Sequence, residues 1–327
     1  MRIGLLGAGG IAGTMAETVA GMEGVRNYAI ASRGLEKAEV FARKYHMEKA
    51  YGSYEEMLAD DNVDLVYIAT PHSHHYEWTI AALNAGKNVL CEKAFAANRK
   101  QAEEMIALAE RKKLLLTEAI WTRYMPSRSM IRKIIDRGDI GEVKTVSSNL
   151  GYPISGIERL IRPELAGGCL LDLTVYTLNF TSMILGNGFT RMEAHMIPTD
   201  TGVDGQDSVF LEYPGGKMAS MMTTMYSRTD RRGIIYGTEG LIEVENINNP
   251  EKISVFTSTS SGLQLSRELT PPPQISGYEY EVEACRKALM EGWTECMEMP
   301  HSETLEIMRQ MDEIRKRFGI VFPFEKE

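Results

Sequence analysis

Residues 3–12 read IGLLGAGGIA, and they constrain this chain more than any other stretch. A short apolar run over 3–6 meets the cluster Gly7-Ala8-Gly9-Gly10-Ile11-Ala12, and a helix-compatible segment follows from Ile11 to about Met22. Strand, tight glycine turn and helix in a G-x-G-x-x-A spacing is an arrangement that binds a dinucleotide. Gly7 can take the turn out of the strand, Gly9 leaves room for a pyrophosphate to reach the backbone, and Ala12 lets the helix lie close to the strand. The helix start then offers its N–H groups and positive dipole end to phosphate. All six residues of the cluster are therefore expected cofactor contacts. Met1-Arg2 ahead of apolar residues also resembles the opening of a signal peptide, but the glycines and Glu17 interrupt the apolar run.

With 327 residues the chain has room for two domains, and 43% hydrophobic with 25% charged residues is an ordinary globular composition. No run of about 18 apolar residues is evident, so no membrane span is expected. A net charge of −9 argues against nucleic acid as a partner. Cys91, Cys169, Cys285 and Cys296 form no C-x-x-C pair. That spacing supports neither metal ligation nor a disulfide framework, and it suits a reducing cytoplasm.

Strand and helix signals alternate through the first third of the chain. Strand candidates lie at 3–6, 28–31, 64–69, 88–91 and 114–119, with helical stretches at 35–45, 54–59, 76–85 and 99–112. Ser53 before Glu56 and Asn98 before Gln101 have capping-box spacing. Apolar strands alternating with amphipathic helices imply a parallel, doubly wound sheet. After about residue 120 the texture changes. Helices are expected at 127–137 and 168–185, a strand at 142–150, and β structure from 191 to about 269, including 208–213, 218–225, 232–236 and 241–244. Pro271-Pro272-Pro273 makes a stiff connector, and helices near 279–291 and 302–318 close the chain. The expected fold class is α/β: an N-terminal Rossmann domain over 1–120, then an α+β substrate-binding and oligomerisation domain over 121–327 with a large, mostly antiparallel open sheet. The final helices are expected to pack back on the first domain.

Four places carry candidate chemistry. The second strand ends at Ser32-Arg33, where NAD-binding members of this fold place an acid about 20 residues past the glycines for the ribose 2′-hydroxyl. A hydroxyl and a guanidinium, with Lys37 nearby, suit a 2′-phosphate and so favour NADP, NAD remaining open. Thr70-Pro71-His72-Ser73-His74-His75 follows the strand at 64–69. Its histidines lack supporting ligands at metal-site spacing, so no metal is expected, and His75 reads as starting a helix beside the cofactor. Glu92-Lys93 follows the strand at 88–91. A partly desolvated lysine beside a cationic nicotinamide has a lowered pKa and can take an alcohol's proton as hydride leaves. Finally, Asp172 and Tyr176 fall four apart and share a face if 168–185 is α-helical, where they can bind substrate hydroxyls or relay a proton. Spacing alone leaves a buried structural pair equally open.

Taken together, the glycine turn, Thr70-Pro71…His75, Glu92-Lys93 and Gly167-Gly168…Asp172…Tyr176 resemble the Gfo/Idh/MocA oxidoreductases. The segment 118–126, with 277–281 and 318–323, resembles a subgroup of dimeric dihydrodiol and NADP-dependent D-xylose dehydrogenases. The resemblance implies Lys93 as acid/base, Asp172 and Tyr176 in the substrate site, Trp121 and Arg123 near the nicotinamide and phosphate region, and a homodimer or higher homo-oligomer through the C-terminal sheet. Ala94 departs from the family's proline, Cys169 and Thr174 from its glycines, and His72 from a common asparagine. The expected activity is NADP-dependent hydride transfer with a neutral sugar, polyol or vicinal diol. The alternative is a non-catalytic NADP-binding sensor of the same fold.

Overall fold

In the computed structural model, which describes residues 1–325, the N-terminal apolar run is β1 (Arg2–Leu6), a central strand of a six-stranded parallel sheet. It is followed by α1 (Gly10–Ala20), β2 (Arg26–Ala31), α2 (Leu35–Tyr45), β3 (Lys49–Tyr51), α3 (Tyr54–Leu58), β4 (Leu65–Ile68), α4 (His75–Asn84), β5 (Asn88–Glu92), α5 (Arg99–Lys112) and β6 (Leu116–Ala119). The strand order is β3-β2-β1-β4-β5-β6, every neighbour parallel. Leu5, Leu6, Leu65, Ile68, Val89 and Leu90 are fully buried, as strands covered on both faces require. Two starts are capped as the spacing predicts: the Ser53 hydroxyl accepts from Glu56 N–H at 3.2 Å and the Asn98 side chain from Gln101 N–H at 3.0 Å. β3 escapes sequence reading because it has three residues and its first is an exposed lysine.

The order reverses at β1/β4, with β2 and β3 to one side and β5 and β6 to the other. In open sheets of this kind ligands bind outside the carboxyl ends of the strands at such a switch point. Gly7, Thr70 and Lys93 all follow strands at that edge.

A second unit comprises Met125–Pro273 and, from Arg309 onward, the described residues that follow. It holds α6 (Pro126–Asp136), β7 (Val143–Gly151), α7 (Glu158–Ile161), α8 (Val175–Leu185), β8 (Arg191–Pro198), β9 (Asp204–Tyr213), β10 (Lys217–Thr224), β11 (Gly233–Gly237), β12 (Gly240–Val244), β13 (Ile253–Thr259) and β14 (Gly262–Leu269). The strands form one sheet in the order β14-β13-β12-β11-β7-β10-β9-β8, antiparallel throughout except β7 beside β10. α8 packs on β7 and β10. The helix expected over 168–185 is corrected in one respect: Leu170–Thr174 is a π-helical turn that runs into α8. Residues Pro163–Leu185 are long and apolar enough to cross a membrane, and 83% of the most apolar window is buried inside the protein, which is the environment of a core helix.

The last helices are α9 (Glu279–Glu291) and α10 (His301–Phe318). The segment Gln274–Met308, with α9 and the start of α10, belongs to the first compact unit rather than to the C-terminal one. Ser276 Oγ lies 2.7 Å from Thr18 Oγ1 on α1, and His301 Nε2 is 2.8 Å from the carbonyl oxygen of Leu116 on β6.

Candidate functional site

The glycine turn has the shape its sequence predicts. Gly7 has φ +107°, and a Cβ there would meet the Ala69 carbonyl oxygen at 2.8 Å, so only glycine fits between β1 and the end of β4. At Gly9 and Gly10 the opposite holds: a Cβ would meet no protein atom within 4 Å. α1 begins at that open space with no side-chain cap and no acidic residue in its first turn, which leaves its N-terminal N–H groups to a ligand. Close packing of this helix falls on Gly13, where a Cβ would lie 2.5 Å from Tyr45 Oη on α2; Ala12 itself is buried. Across the edge, Thr70 Oγ1 is a buried hydroxyl with no hydrogen-bond partner among the described residues. An open cradle, an uncapped helix start and an orphaned hydroxyl fit a dinucleotide.

Around the end of β2 the three expected 2′-phosphate groups differ. Arg33 and Lys37 are exposed, and Arg33 lies close enough to Tyr54 to act on its phenol electrostatically. Ser32 is buried, and its hydroxyl donates to the Gly34 carbonyl at 2.9 Å. That uses its single hydrogen, so Ser32 shapes the turn and its hydroxyl is not a donor to phosphate in this arrangement.

His75 opens α4 and joins two strand ends. Its Nδ1 is 2.8 Å from the Ala94 carbonyl oxygen and its Nε2 2.9 Å from the Thr70 carbonyl oxygen. The His72 ring meets it edge-on at 5.7 Å. Among the described residues no group of three metal-ligating side chains is assembled. The Lys93 N–H donates to Glu92 Oε2 at 3.2 Å, and Tyr67 donates its phenol hydrogen to Glu92 Oε1. Lys93 is half-buried and Glu92 buried.

Behind these loops lies a buried acidic layer that periodicity does not reveal. Burial pushes Glu118, at the end of β6, up to about 7, although Thr304 and the Arg123 guanidinium oppose the rise. Burial, with the neighbouring Glu92 charge, also raises Glu281 on α9 and the Tyr67 phenol well above their ordinary ranges. Glu279, Glu281 and Glu283 alternate along the sequence with nothing to mark the middle one as the buried member. Arg123, expected near the nicotinamide and phosphate region, is 2% exposed and ion-paired with Glu303 at 2.9 Å. Trp121 stacks on Tyr278 with ring centroids 4.5 Å apart.

In the second unit, Asp172 and Tyr176 are both buried, the first inside the π turn and the second in the first turn of α8. A π turn is wider than an α turn and often marks a functional site. Two residues of β9 hold this one: Asp204 accepts the Leu170 N–H, and Asp207 accepts the Thr174 hydroxyl at 2.6 Å. Burial raises both carboxyls, Asp204 to about 6. Asp172 does not stand alone. Arg159 of α7 lies 3.4 Å from its Oδ1, a basic neighbour that sequence reading missed because the two residues are on different elements.

Comparison with known proteins agrees with this anatomy. Residues 1–120 match the oxidoreductase family GFO_IDH_MocA with its NAD-binding Rossmann fold, and residues 129–243 match the GFO/IDH/MocA C-terminal domain. Trans-1,2-dihydrobenzene-1,2-diol dehydrogenase of Mus musculus is 34% identical, covering 100% of this chain and 99% of the relative. The Homo sapiens protein of that name is 33% identical over 91% of this chain and 90% of its own. Among solved structures, a 3-ketoreductase from Actinomadura kijaniata in complex with NADP and TDP-benzene superposes with a TM-score of 0.86 at 25% identity, covering 97% of both chains. Levoglucosan dehydrogenase in complex with NADH and levoglucosan superposes with a TM-score of 0.87 at 19% identity, covering 99% of both, a likeness of fold.

Proposed function

The chain belongs to the Gfo/Idh/MocA oxidoreductase family, and on that premise we propose that it is an NADP-dependent dehydrogenase of a neutral sugar, polyol or vicinal diol. The observation that carries the reading is the open cradle at Gly9 and Gly10 in front of an uncapped helix, beside the orphaned Thr70 hydroxyl. The bound nicotinamide supplies hydride chemistry. The chain's own residues supply the rest. Arg33, exposed just after β2, and Lys37, exposed in the first turn of α2, with no carboxylate at Ser32, favour a 2′-phosphate. Lys93 is assigned the proton released from the reacting hydroxyl, with Glu92 and His75 holding the main chain around it. Asp172 accepts a hydrogen bond from a substrate hydroxyl, and the Tyr176 phenol donates to or accepts from another. Such groups leave a monohydric alcohol with unmatched polar partners, which enforces selectivity. Arg159 and Asp172 cancel in charge, which keeps a neutral substrate the better fit.

The relatives' names point the same way, toward a diol in the dehydrogenases and a keto group in the 3-ketoreductase. The test is oxidation of xylose, glucose, trans-cyclohexane-1,2-diol and cyclohexanol at alkaline pH with NADP or NAD, read as reduced-cofactor absorbance. Preference for cyclohexanol, or no turnover on any of them, overturns the reading; the latter with retained NADP binding returns the sensor.

A second copy of this chain is the proposed partner. The register of the eight-stranded sheet aligns Met218, Thr145, Tyr236, Leu241, Phe256 and Leu265 in one row from β10 to β14. Met218, Tyr236 and Leu265 are exposed. An apolar row of this length on an open sheet face is a surface that association covers. Four buried free thiols suit a cytoplasmic setting.

A further inference from the structure

Arg159 sits on a four-residue helix whose neighbours are already paired. Arg162 is ion-paired with Glu158 and Glu164, whereas Arg159 turns to Asp172. Its Nη1 and Nη2 lie 3.4 and 3.5 Å from the same oxygen, Asp172 Oδ1. A guanidinium built to stabilise a carboxylate engages both oxygens in a fork at about 2.7–2.9 Å, so this is a loose, one-sided contact of the kind that adds little stability. The Arg159 side chain is 44% exposed and that of Asp172 8%. The remaining N–H groups of Arg159 have no partner among the described residues.

The placement is nonetheless built. Gly168 N–H donates to the Leu160 carbonyl at 2.8 Å, and Gly167 N–H to the Arg162 carbonyl at 3.0 Å. A Cβ on Gly167 would meet the carbonyl oxygens of Leu160 at 2.6 Å and Arg159 at 2.9 Å. Gly167-Gly168 thus lets α7 lie against the chain just ahead of the π turn, and those main-chain bonds fix Arg159 relative to Asp172. An acceptor buried on one side and free donors exposed beside it form a directional couple.

We infer that Arg159 is a specificity-determining residue that, with Asp172, takes a vicinal pair of oxygens: a hydroxyl that donates to Asp172, and a neighbouring hydroxyl or carbonyl oxygen that accepts from the guanidinium. The inference rests on the reading of Asp172 as a substrate-binding group. It names the substrate class as vicinal diols and the corresponding α-hydroxy carbonyls, in which donor and acceptor oxygens sit on adjacent carbons.

The experiment compares the full-length wild type with Arg159→Met, which keeps length and loses the donors, and Arg159→Lys, which keeps charge and loses the planar fork. Both are assayed with NADP on trans-cyclohexane-1,2-diol and on cyclohexanol. Arg159→Met is expected to raise KM for the diol roughly tenfold to a hundredfold, the effect of removing a charged hydrogen-bond partner, and to leave KM for cyclohexanol and for NADP within about twofold. Arg159→Lys is expected to fall between, which also covers a Met variant that folds poorly. Equal rises for both substrates, or no rise for the diol, overturn the inference while the dehydrogenase reading stands. A wild type that turns over neither substrate overturns that reading and this inference with it.

Discussion

Trp121 and Tyr278 lie face to face, ring centroids 4.5 Å apart and planes 6° from parallel, although the whole eight-stranded sheet intervenes between them in sequence. The first ring belongs to the turn after β6 and the second to the segment that re-enters the first unit ahead of α9. Stacked aromatic pairs contribute about 0.5–1.5 kcal/mol beyond the area they bury. A double-mutant cycle with Trp121→Ala and Tyr278→Ala, read by denaturant unfolding, is expected to give a coupling energy of that size. Additive losses would mean the rings are neighbours without mutual stabilisation.

That pair shows where sequence reading stops. Strand, turn and helix in the first third are legible because each is encoded locally: apolar runs, Ser53 and Asn98 as caps, glycines at the turn. Lys93, Asp172 and Tyr176 stand out in the sequence as candidates by position and spacing, and Asp172 lies in a π turn rather than the α turn that spacing assumed. What is not legible depends on contacts between distant segments. Arg123 reads as a cation available to phosphate until Glu303 is seen to pair with it. Ser32 reads as a phosphate ligand until its hydrogen is found on Gly34. The π turn is invisible to helical periodicity because its partners, Asp204 and Asp207, come from β9. Arg159 is hidden for the same reason.

Glu118 gives the fold a pH dependence of definite sign. Its carboxyl rises from 4.5 to about 7 in the folded protein because it is buried. Between those values the native state holds a proton the unfolded chain has released, so this group's contribution is complete below about pH 4.5 and is lost as pH climbs through 7. The shift corresponds to a loss on the order of 3 kcal/mol. The unfolding free energy of wild type minus that of Glu118→Gln, measured from pH 4 to 8, should therefore fall as pH rises. A constant difference across that range would show that Glu118 does not titrate in it.

The apolar row on the open sheet predicts its own disruption. Leu265→Lys or Tyr236→Glu places a charge at an exposed position of that row, where either side chain costs little in an isolated chain because it remains solvated. In a dimer the charge would be desolvated without a partner. Sedimentation at micromolar concentration should show wild type as a dimer or larger and the variants shifted toward monomer, with thermal unfolding of the monomer still cooperative. Wild type sedimenting as a monomer would refute the proposed partner.

Arg33 is the residue that should separate the two cofactors. It is exposed at the end of β2, where a charge-assisted bond to a 2′-phosphate adds about 1.5–3 kcal/mol, or roughly ten- to a hundredfold in affinity. Arg33→Asp should weaken NADP by at least that factor and leave NAD within a few-fold, since a carboxylate at this edge suits a ribose 2′-hydroxyl. Direct binding measurements on the apoprotein decide it. Equal weakening of both cofactors would assign Arg33 to the adenine or to the turn itself.

Lys93 and Tyr176 compete for the proton. Lys93 is half-buried after β5, its main chain fastened through Glu92 to Tyr67. Tyr176 is buried in the first turn of α8. General acid–base catalysis contributes about a hundredfold or more, so the true proton carrier should lose at least that in kcat when its titrating atom is removed. Lys93→Met retains most of the stem and should bind NADP within a few-fold of wild type while turnover falls a hundredfold or more. Tyr176→Phe removes one hydroxyl and, if that hydroxyl only orients substrate, should act mainly on KM. The pH profile of kcat/KM for oxidation supplies the independent readout: loss of its acidic limb in Lys93→Met identifies the lysine as the proton acceptor. The reverse pattern, a mild Lys93→Met effect beside a hundredfold kcat loss and a vanished limb in Tyr176→Phe, transfers the role to the phenol and leaves Lys93 to hold the substrate.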